Sequence, residues 1–481
     1  MKRLLIIALL ISTAVFAQKP ERSGPPPAGP IPVFFMPPIK HFTLANGLPV
    51  VLLEKHQVPL VQINLMVFSG AVDDPADKPG LASMVASMLT DGAGSRDALA
   101  FADAVDFLGA SLVGTAGLHT SALSLHTPVA KLDSALALLA DALLHPAFAP
   151  AELERHRKER LTTLLSWRDE AQAQASALFS RTLYGQGHPY GRLSIGDERA
   201  IRSITTDDLK QFHGKYFRPN NATLVIVGDV TLLEMRTKLE QLLASWSRGT
   251  VPQATLPAVE QVQKRTVEIV DKPGAPQTEI RIGCVGVPRA TDDYYALVVM
   301  NTILGGSFSS RLNANLREVH QYSYGAWSSF QFRKFAGPFD AAASVHTAKT
   351  DSSLIEFMKE LNGILKPVSQ QEVDRAKNFV ALGFPADFQT VEDLAAKIED
   401  MVMYNLPDGY YNSYTRNVLA VTKEDVERVA KKYLNPEKMA VVLVGDRKTI
   451  EAPVRALKLG QVTILTVDDV LGKAPVMEAQ K

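Results

Sequence analysis

The sequence predicts an α+β protein built from two copies of one unit, each a mostly antiparallel sheet with helices packed on one face. Two observations carry this. The first is an internal repeat: Tyr-Phe-Arg-Pro-Asn-Asn-Ala-Thr-Leu-Val-Ile-Val-Gly-Asp from Tyr216 to Asp229 recurs as Tyr-Leu-Asn-Pro-Glu-Lys-Met-Ala-Val-Val-Leu-Val-Gly-Asp from Tyr433 to Asp446, an offset of 217. The same offset aligns Ile204-Thr205-Thr206-Asp207-Asp208-Leu209 with Val421-Thr422-Lys423-Glu424-Asp425-Val426. Each of these opens a helix with a Thr cap and early acids, and each helix leads through a Pro turn into an apolar strand. Glu152-Leu153-Glu154-Arg155 and Glu372-Val373-Asp374-Arg375 recur at offset 220. The second observation is the mixture of strand and helix patterns inside each copy.

The elements follow in order. Met1-Lys2-Arg3, an apolar run from Leu4 to Phe16, and Val15-Phe16-Ala17 read as a signal peptide over residues 1–17. An uncleaved anchor is the alternative, although the run falls short of the roughly 20 residues that a membrane-spanning helix needs. No cysteine follows it to take a lipid. Residues 18–38 form a Pro-rich leader. Phe42 to Leu52 predicts strand, Asn46-Gly47 turn, strand, and Val61–Phe68 predicts another strand. Helices are expected over Lys131–Leu144, Ala151–Gln174 and Asp293–Leu304. The expected domains are 39–246 and 264–453, joined by a linker over 247–263 (with Pro252 and Pro257) and followed by a C-terminal extension over 454–481.

Composition narrows the function. Among 481 residues, 46% are hydrophobic and 21% charged, enough for large cores. Lys plus Arg equals Asp plus Glu, 51 of each, so no global field points to nucleic acid or an anionic membrane surface. Cys284 is the only cysteine, which excludes an internal disulfide and reads as a small core residue. No segment after the signal reaches transmembrane length. Gly305-Gly306-Ser307 lacks the Lys-Ser/Thr of a phosphate loop and reads as a turn out of a helix.

Several landmarks occur together: Asn46-Gly47, Gly80-Leu81-Ala82, Gly187-His188-Pro189-Tyr190-Gly191-Arg192, Tyr216-Phe217-Arg218-Pro219 leading to Val227-Gly228-Asp229, Leu304 to Leu312, Leu316-Arg317-Glu318, and Tyr324. In order and spacing the chain resembles the insulinase/pitrilysin-type zinc peptidases across nearly its whole mature length. That family carries an inverted zinc motif, H-x-x-E-H, on a helix. The resemblance places the motif's first His at Ser83, its Glu at Ala86 and its second His at Ser87, and the third ligand near Thr162 or Thr163. None of these can serve as imidazole, thiolate or carboxylate ligand. No H-x-x-E-H or H-E-x-x-H stands elsewhere. His119 and His126 are expected to be satisfied or exposed, facing opposite sides of a strand-like stretch. Ser83 and Ser87 have no recognisable His/Asp partner to activate them.

The resemblance also maps an Arg/Tyr pair, held in the family to grip the substrate backbone and the oxyanion, onto Arg317 and Tyr324. One departure is that Gln321 stands where the family often has Gly. Some bacterial members work as heterodimers in which one chain carries zinc and the other Arg and Tyr, and this sequence resembles the second kind. The expectation is an exported, most simply periplasmic, non-catalytic subunit with no cofactor of its own. Zinc would sit in a homologous H-x-x-E-H partner, and an extended peptide would be the substrate, added to a sheet edge. The alternative is a retired peptidase body that binds without cutting.

Overall fold

The computed structural model describes residues 29–30 and 34–477. The signal peptide and most of the Pro-rich leader lie outside the described residues. Residues 34–477 belong to one compact unit.

Two six-stranded sheets dominate it. In the first, β1 (Ile39–Thr43), β2 (Pro49–Glu54), β3 (Leu60–Val67), β4 (Ser111–Ala116), β5 (Ser121–Pro128) and β6 (Ala222–Gly228) lie in the order β1-β2-β6-β3-β5-β4. In the second, β7 (Thr266–Asp271), β8 (Gln277–Val285), β9 (Ser323–Phe330), β10 (Pro338–His346), β11 (Ala440–Gly445) and β12 (Gln461–Leu465) lie in the order β12-β7-β11-β8-β10-β9. The repeat is visible in the register. Leu65 faces Leu224 and Ile282 faces Val441, and residues 224 and 441 are the 217 positions apart that the sequence gives. The helices Thr206–Tyr216 and Lys423–Tyr433 keep the same offset, and both open with a capping box, at Thr205 and Thr422.

Each sheet is mostly antiparallel but carries a parallel pair, β2–β6 and β7–β11. The outer strands differ. β1 enters from the N-terminus and pairs antiparallel with β2, whereas β12 returns from the C-terminus and pairs parallel with β7. Residues 454–477, expected as an extension, therefore complete the second sheet. The helix Arg447–Ala456 runs across the expected boundary at 453.

Each half packs its own helices on one face of its sheet, around Phe101, Leu136 and Leu139 in the first half and Leu297, Phe357 and Val426 in the second. The opposite faces are covered by exchange. The helix Val391–Tyr404 of the second half packs Leu394, Ala395 and Ile398 on Val51, Leu53, Val225 and Val227 of the first sheet. The helix Ala171–Tyr184 of the first half packs Ala175, Leu178 and Phe179 on Val270, Val285, Val442 and Val444 of the second. This is why β6 and β11 are buried along their whole length and read as continuous apolar runs.

The expected Ala151–Gln174 helix is two helices, Pro150–Trp167 and Ala171–Tyr184. The Gln174 amide donates to the carbonyls of Trp167 (3.2 Å) and Arg168 (2.6 Å), satisfying the end of the first helix so that the second can cross to the other sheet. No helix among the described residues is long and apolar enough to cross a membrane.

Candidate functional site: a closed metal-motif helix and an exposed Arg/Tyr pair

The helix Leu81–Met88 starts at Gly80, whose φ of +90° is open to glycine at little strain. Asp74 takes the Gly80 and Ala82 N–H groups, each at 2.7 Å. Arg160, buried on the Pro150–Trp167 helix, donates to the Gly80 carbonyl (2.8 Å) and to that of Ile195 (3.2 Å). Burial pushes the Asp74 carboxyl up to about 7, against the two N–H donors and Arg160. It also draws the Arg160 guanidinium down to about 10. The pair fixes the helix start from two sides. Sequence reading passed over it because neither residue lies in a motif.

The hydroxyls at the ligand positions are turned back onto backbone. Ser83 Oγ donates to the carbonyls of Gly80 (3.0 Å) and Ser194 (3.2 Å), and Ser87 Oγ to that of Ser83 (2.9 Å). Thr163 Oγ1 donates to Glu159 O at 2.9 Å, and Thr162 Oγ1 to Lys158 O at 2.8 Å. Ala86 is wholly buried. Neutral hydroxyls whose protons are given to carbonyls are not zinc ligands, so these residues do not fit the metal. Among the described residues no group of three or more His, Cys, Asp or Glu is placed to hold one. Nor, among the described residues, does any base bond to Ser83 or Ser87.

His119 and His126 are satisfied. His119 stands in the turn between β4 and β5 rather than in a strand, with Nε2 2.5 Å from the Tyr190 hydroxyl. Burial and the nearby Lys334 and Arg333 draw its pKa down to about 4. His126 on β5 meets Gln62 Oε1 at 3.1 Å and Glu392 at 2.9 Å. Cys284 is a free, buried thiol on β8, pushed up to about 12 by burial. Gly305 ends the helix Tyr294–Leu304.

Arg317 and Tyr324 are displayed instead. Arg317 lies in a π-helical turn, Ala314–Val319, with its guanidinium 4.6 Å from the Phe308 ring centroid and 3.1 Å from Glu318. Tyr324 sits near the start of β9, the sheet's outer strand, and is 86% exposed. The register slips between Ala343 and Val345 opposite it, a bulge of the kind that re-aims a side chain. Asn313 braces the segment, accepting from Ala326 N (3.1 Å) and donating to Phe308 O (2.6 Å). Between the two residues Gln321 adopts φ +57°, the left-handed conformation that glycine takes more cheaply.

Comparison with known proteins identifies the family. The insulinase (peptidase family M16) model matches residues 49–192, and the peptidase M16 inactive-domain model matches residues 203–380. The chain belongs to the insulinase family, as a homologue that lacks the peptidase's metal site. It is similar to an uncharacterized zinc protease of Mycobacterium leprae, 26% identical over 86% of this chain and 94% of that one. It is also similar to the non-peptidase homolog YmxG of Helicobacter pylori, 24% identical over 83% of this chain and 92% of that one. The crystal structure of a peptidase M16 inactive domain from Pseudomonas fluorescens superposes with TM-score 0.79 and 27% identity, over 85% of this chain and 98% of its own.

Proposed function

We propose that this protein is the non-catalytic chain of a two-chain zinc peptidase of the cell envelope, lending Arg317 and Tyr324 to the site of a homologous zinc-bearing partner. The observation that carries the reading is the exposure of Tyr324, seven residues after Arg317, in a chain whose own metal-motif helix is closed by backbone hydrogen bonds. A buried phenol would serve packing; an outward one on a braced bulge is available to another molecule. Attack by a zinc-bound hydroxide places negative charge on the scissile carbonyl oxygen of an extended peptide. A phenol and a guanidinium aimed there stabilise it. Relatives of both kinds, the non-peptidase homolog YmxG and a zinc protease named PqqE, occur in Helicobacter pylori, and this chain is 24% identical to each.

The second reading, a retired peptidase that binds without cutting, draws on the Arg317–Glu318 contact and on the non-glycine residue at the strained position 321. A pull-down of the tagged chain from its host separates the two. Recovery of a homologous chain with an intact H-x-x-E-H, near one to one, supports the two-chain enzyme, and its absence supports the second reading. With that partner, Tyr324→Phe is expected to lower kcat by about a hundredfold while KM changes little. An unchanged kcat removes the Arg/Tyr assignment.

A further inference from the structure

We infer that a second site, which borders the metal-motif helix through Ser194 and is not lined by Arg317 or Tyr324, binds the carboxylate of a peptide. It is a cavity where the turn between β4 and β5, the loop after Tyr184 and the turn between β9 and β10 meet. Leu118, Trp167, Tyr190, Arg192, Ser194 and Arg333 line it. Because two turns come from different halves, the site exists only in the folded pair of domains.

The two arginines are the reason for assigning an anion. Arg333 Nη2 donates to Gln331 Oε1 at 2.8 Å, and Arg192 donates to the carbonyls of Gln186 (3.4 Å) and Gly187 (3.0 Å). Among the described residues neither guanidinium forms an ion pair with a carboxylate, unlike Arg155, Arg168 and Arg202 on neighbouring helices. The one acid that lines the cavity is Glu170, which is exposed at its rim. Among the lining side chains two guanidinium groups face one carboxylate, an excess that suits a monoanion such as a carboxylate, while Arg192 also borders a neighbouring cavity with Asp197, Asp468 and Asp469. His119 adds nothing near neutral pH, because its pKa is drawn down to about 4.

The site is also built in advance. Arg333 stacks 4.7 Å from the Tyr190 ring centroid, and its carbonyl accepts from Arg289 N at 2.7 Å. Tyr184 donates to the Ala336 carbonyl at 3.0 Å, which ties the β9–β10 turn to the first half. Tyr190 is packed edge-on against Tyr184 and His188. A guanidinium held over a fixed ring loses little freedom when it binds, and its planar fork matches a carboxylate. Leu118 and Trp167 offer apolar wall to the residue that carries the charge.

The carboxylate has two sources, a free chain end or an acidic side chain, and the test separates them. The full chain, without partner, is titrated calorimetrically with one short peptide, acetyl-Ala-Ser-Ala-Leu, in three forms: free acid, C-terminal amide, and amide with Glu in place of Ser. The free acid is expected to bind at least about tenfold more tightly than the plain amide, the effect of one charge-assisted pair. Tighter binding of the Glu amide instead assigns the site to side chains. Arg333→Gln is expected to erase the difference and Arg333→Lys to keep part of it. Should Arg333→Gln fail to fold, Arg192→Gln, at a residue whose side-chain hydrogen bonds stay within its own loop, reads the same loss. Bound carboxylate should also raise the pKa of His119, followed by NMR, as it offsets Arg333. Equal affinities for the three forms, no binding of any, or discrimination that survives both Gln variants overturns the site. Since the isolated chain is used, these outcomes are independent of whether a zinc-bearing partner exists.

Discussion

The two halves share one unit and have diverged in opposite directions, and the contrast is sharpest where each outermost strand meets its neighbouring helix or turn. In the first half, β4 lies against the helix Leu81–Met88, and a Cβ on Gly114 would overlap the Ala86 carbonyl oxygen. The motif helix is pressed onto its sheet with no room between them. In the second half β9 is packed as tightly at Ser328, where a Cβ on Gly305 would overlap the Ser328 nitrogen, but it is open at its start: a Cβ on Gly325 would meet only Asn313 Oδ1, at 3.7 Å. One half packs its outer strand against the motif helix, and the other leaves the start of its outer strand open, at Tyr324 and Gly325. A site that has lost its chemistry is free to pack, whereas a segment kept open, braced and partly strained has been kept so at a cost in stability.

That contrast is broken most forcefully at the glycines. Gly114→Ala is expected to destabilise the protein by about 2–3 kcal/mol, because backbone on both sides must move. Gly325→Ala is expected to change it by less than about 0.5–1 kcal/mol. Denaturant unfolding of the two variants measures the difference, and equal losses would show the two edges to be alike.

The exchanged helices give the next effect. Glu399 on the helix Val391–Tyr404 occupies the position, 220 residues on, that Phe179 holds on Ala171–Tyr184. Phe179 fills an apolar core, whereas Glu399 is buried toward Asn64, which also accepts from Gln62 at 2.6 Å. Burial raises the Glu399 pKa from 4.5 to about 7. The folded chain therefore holds a proton that the unfolded chain releases between those values. Its contribution to stability is full below about pH 4.5 and is lost as the pH rises to about 7. The rise from 4.5 to about 7 corresponds to a change of about 3 kcal/mol at most. Asp74 acts with the same sign, and His119 and His213, whose pKa values are drawn down to about 4, act with the opposite one. Only the difference between the wild-type protein and Glu399→Gln isolates this residue. The variant is expected to hold its Tm more evenly from pH 4.5 to 7, and parallel curves would mean that water reaches the carboxylate.

What the sequence made legible follows from what repeats. The duplication, the capped helices and the buried strands β6 and β11 could be read because helix and strand periods and turn residues are local. The loss of metal ligands could be read because ligand chemistry belongs to residue type: Ser83, Ala86, Ser87 and Thr163 are unsuitable wherever they point. The helix exchange was not legible, since Ala171–Tyr184 and Val391–Tyr404 are apolar toward whichever sheet they meet. Nor was the return of β12, because a short strand of half-buried residues after Gly460 resembles a tail. Asp74, Arg160 and Arg333 were invisible for a related reason. The contacts that hold them reach across the chain, 80 positions from Arg160 to Gly80 and 143 from Arg333 to Tyr190, and a lone charge in a sequence does not say whether it is buried.

The smallest effect tests whether the open edge of the second half is tuned for use. Gln321, at φ +57°, precedes Tyr324 by three residues, and Tyr322 N bonds back to Leu316 O at 2.8 Å. The left-handed turn thus sets how the strand leaves the Arg317 helix. Gln321→Gly relieves the side-chain strain but gives the unfolded chain more freedom, so the net gain is expected to be at most about 1 kcal/mol. If the turn is only a connector, the variant is more stable and nothing else changes. If the non-glycine residue holds Arg317 and Tyr324 at a fixed separation, the added freedom lowers kcat with the partner although the Tm rises. A rise in both would show that Gln321 is a defect the second half tolerates, and that the pair works in spite of it.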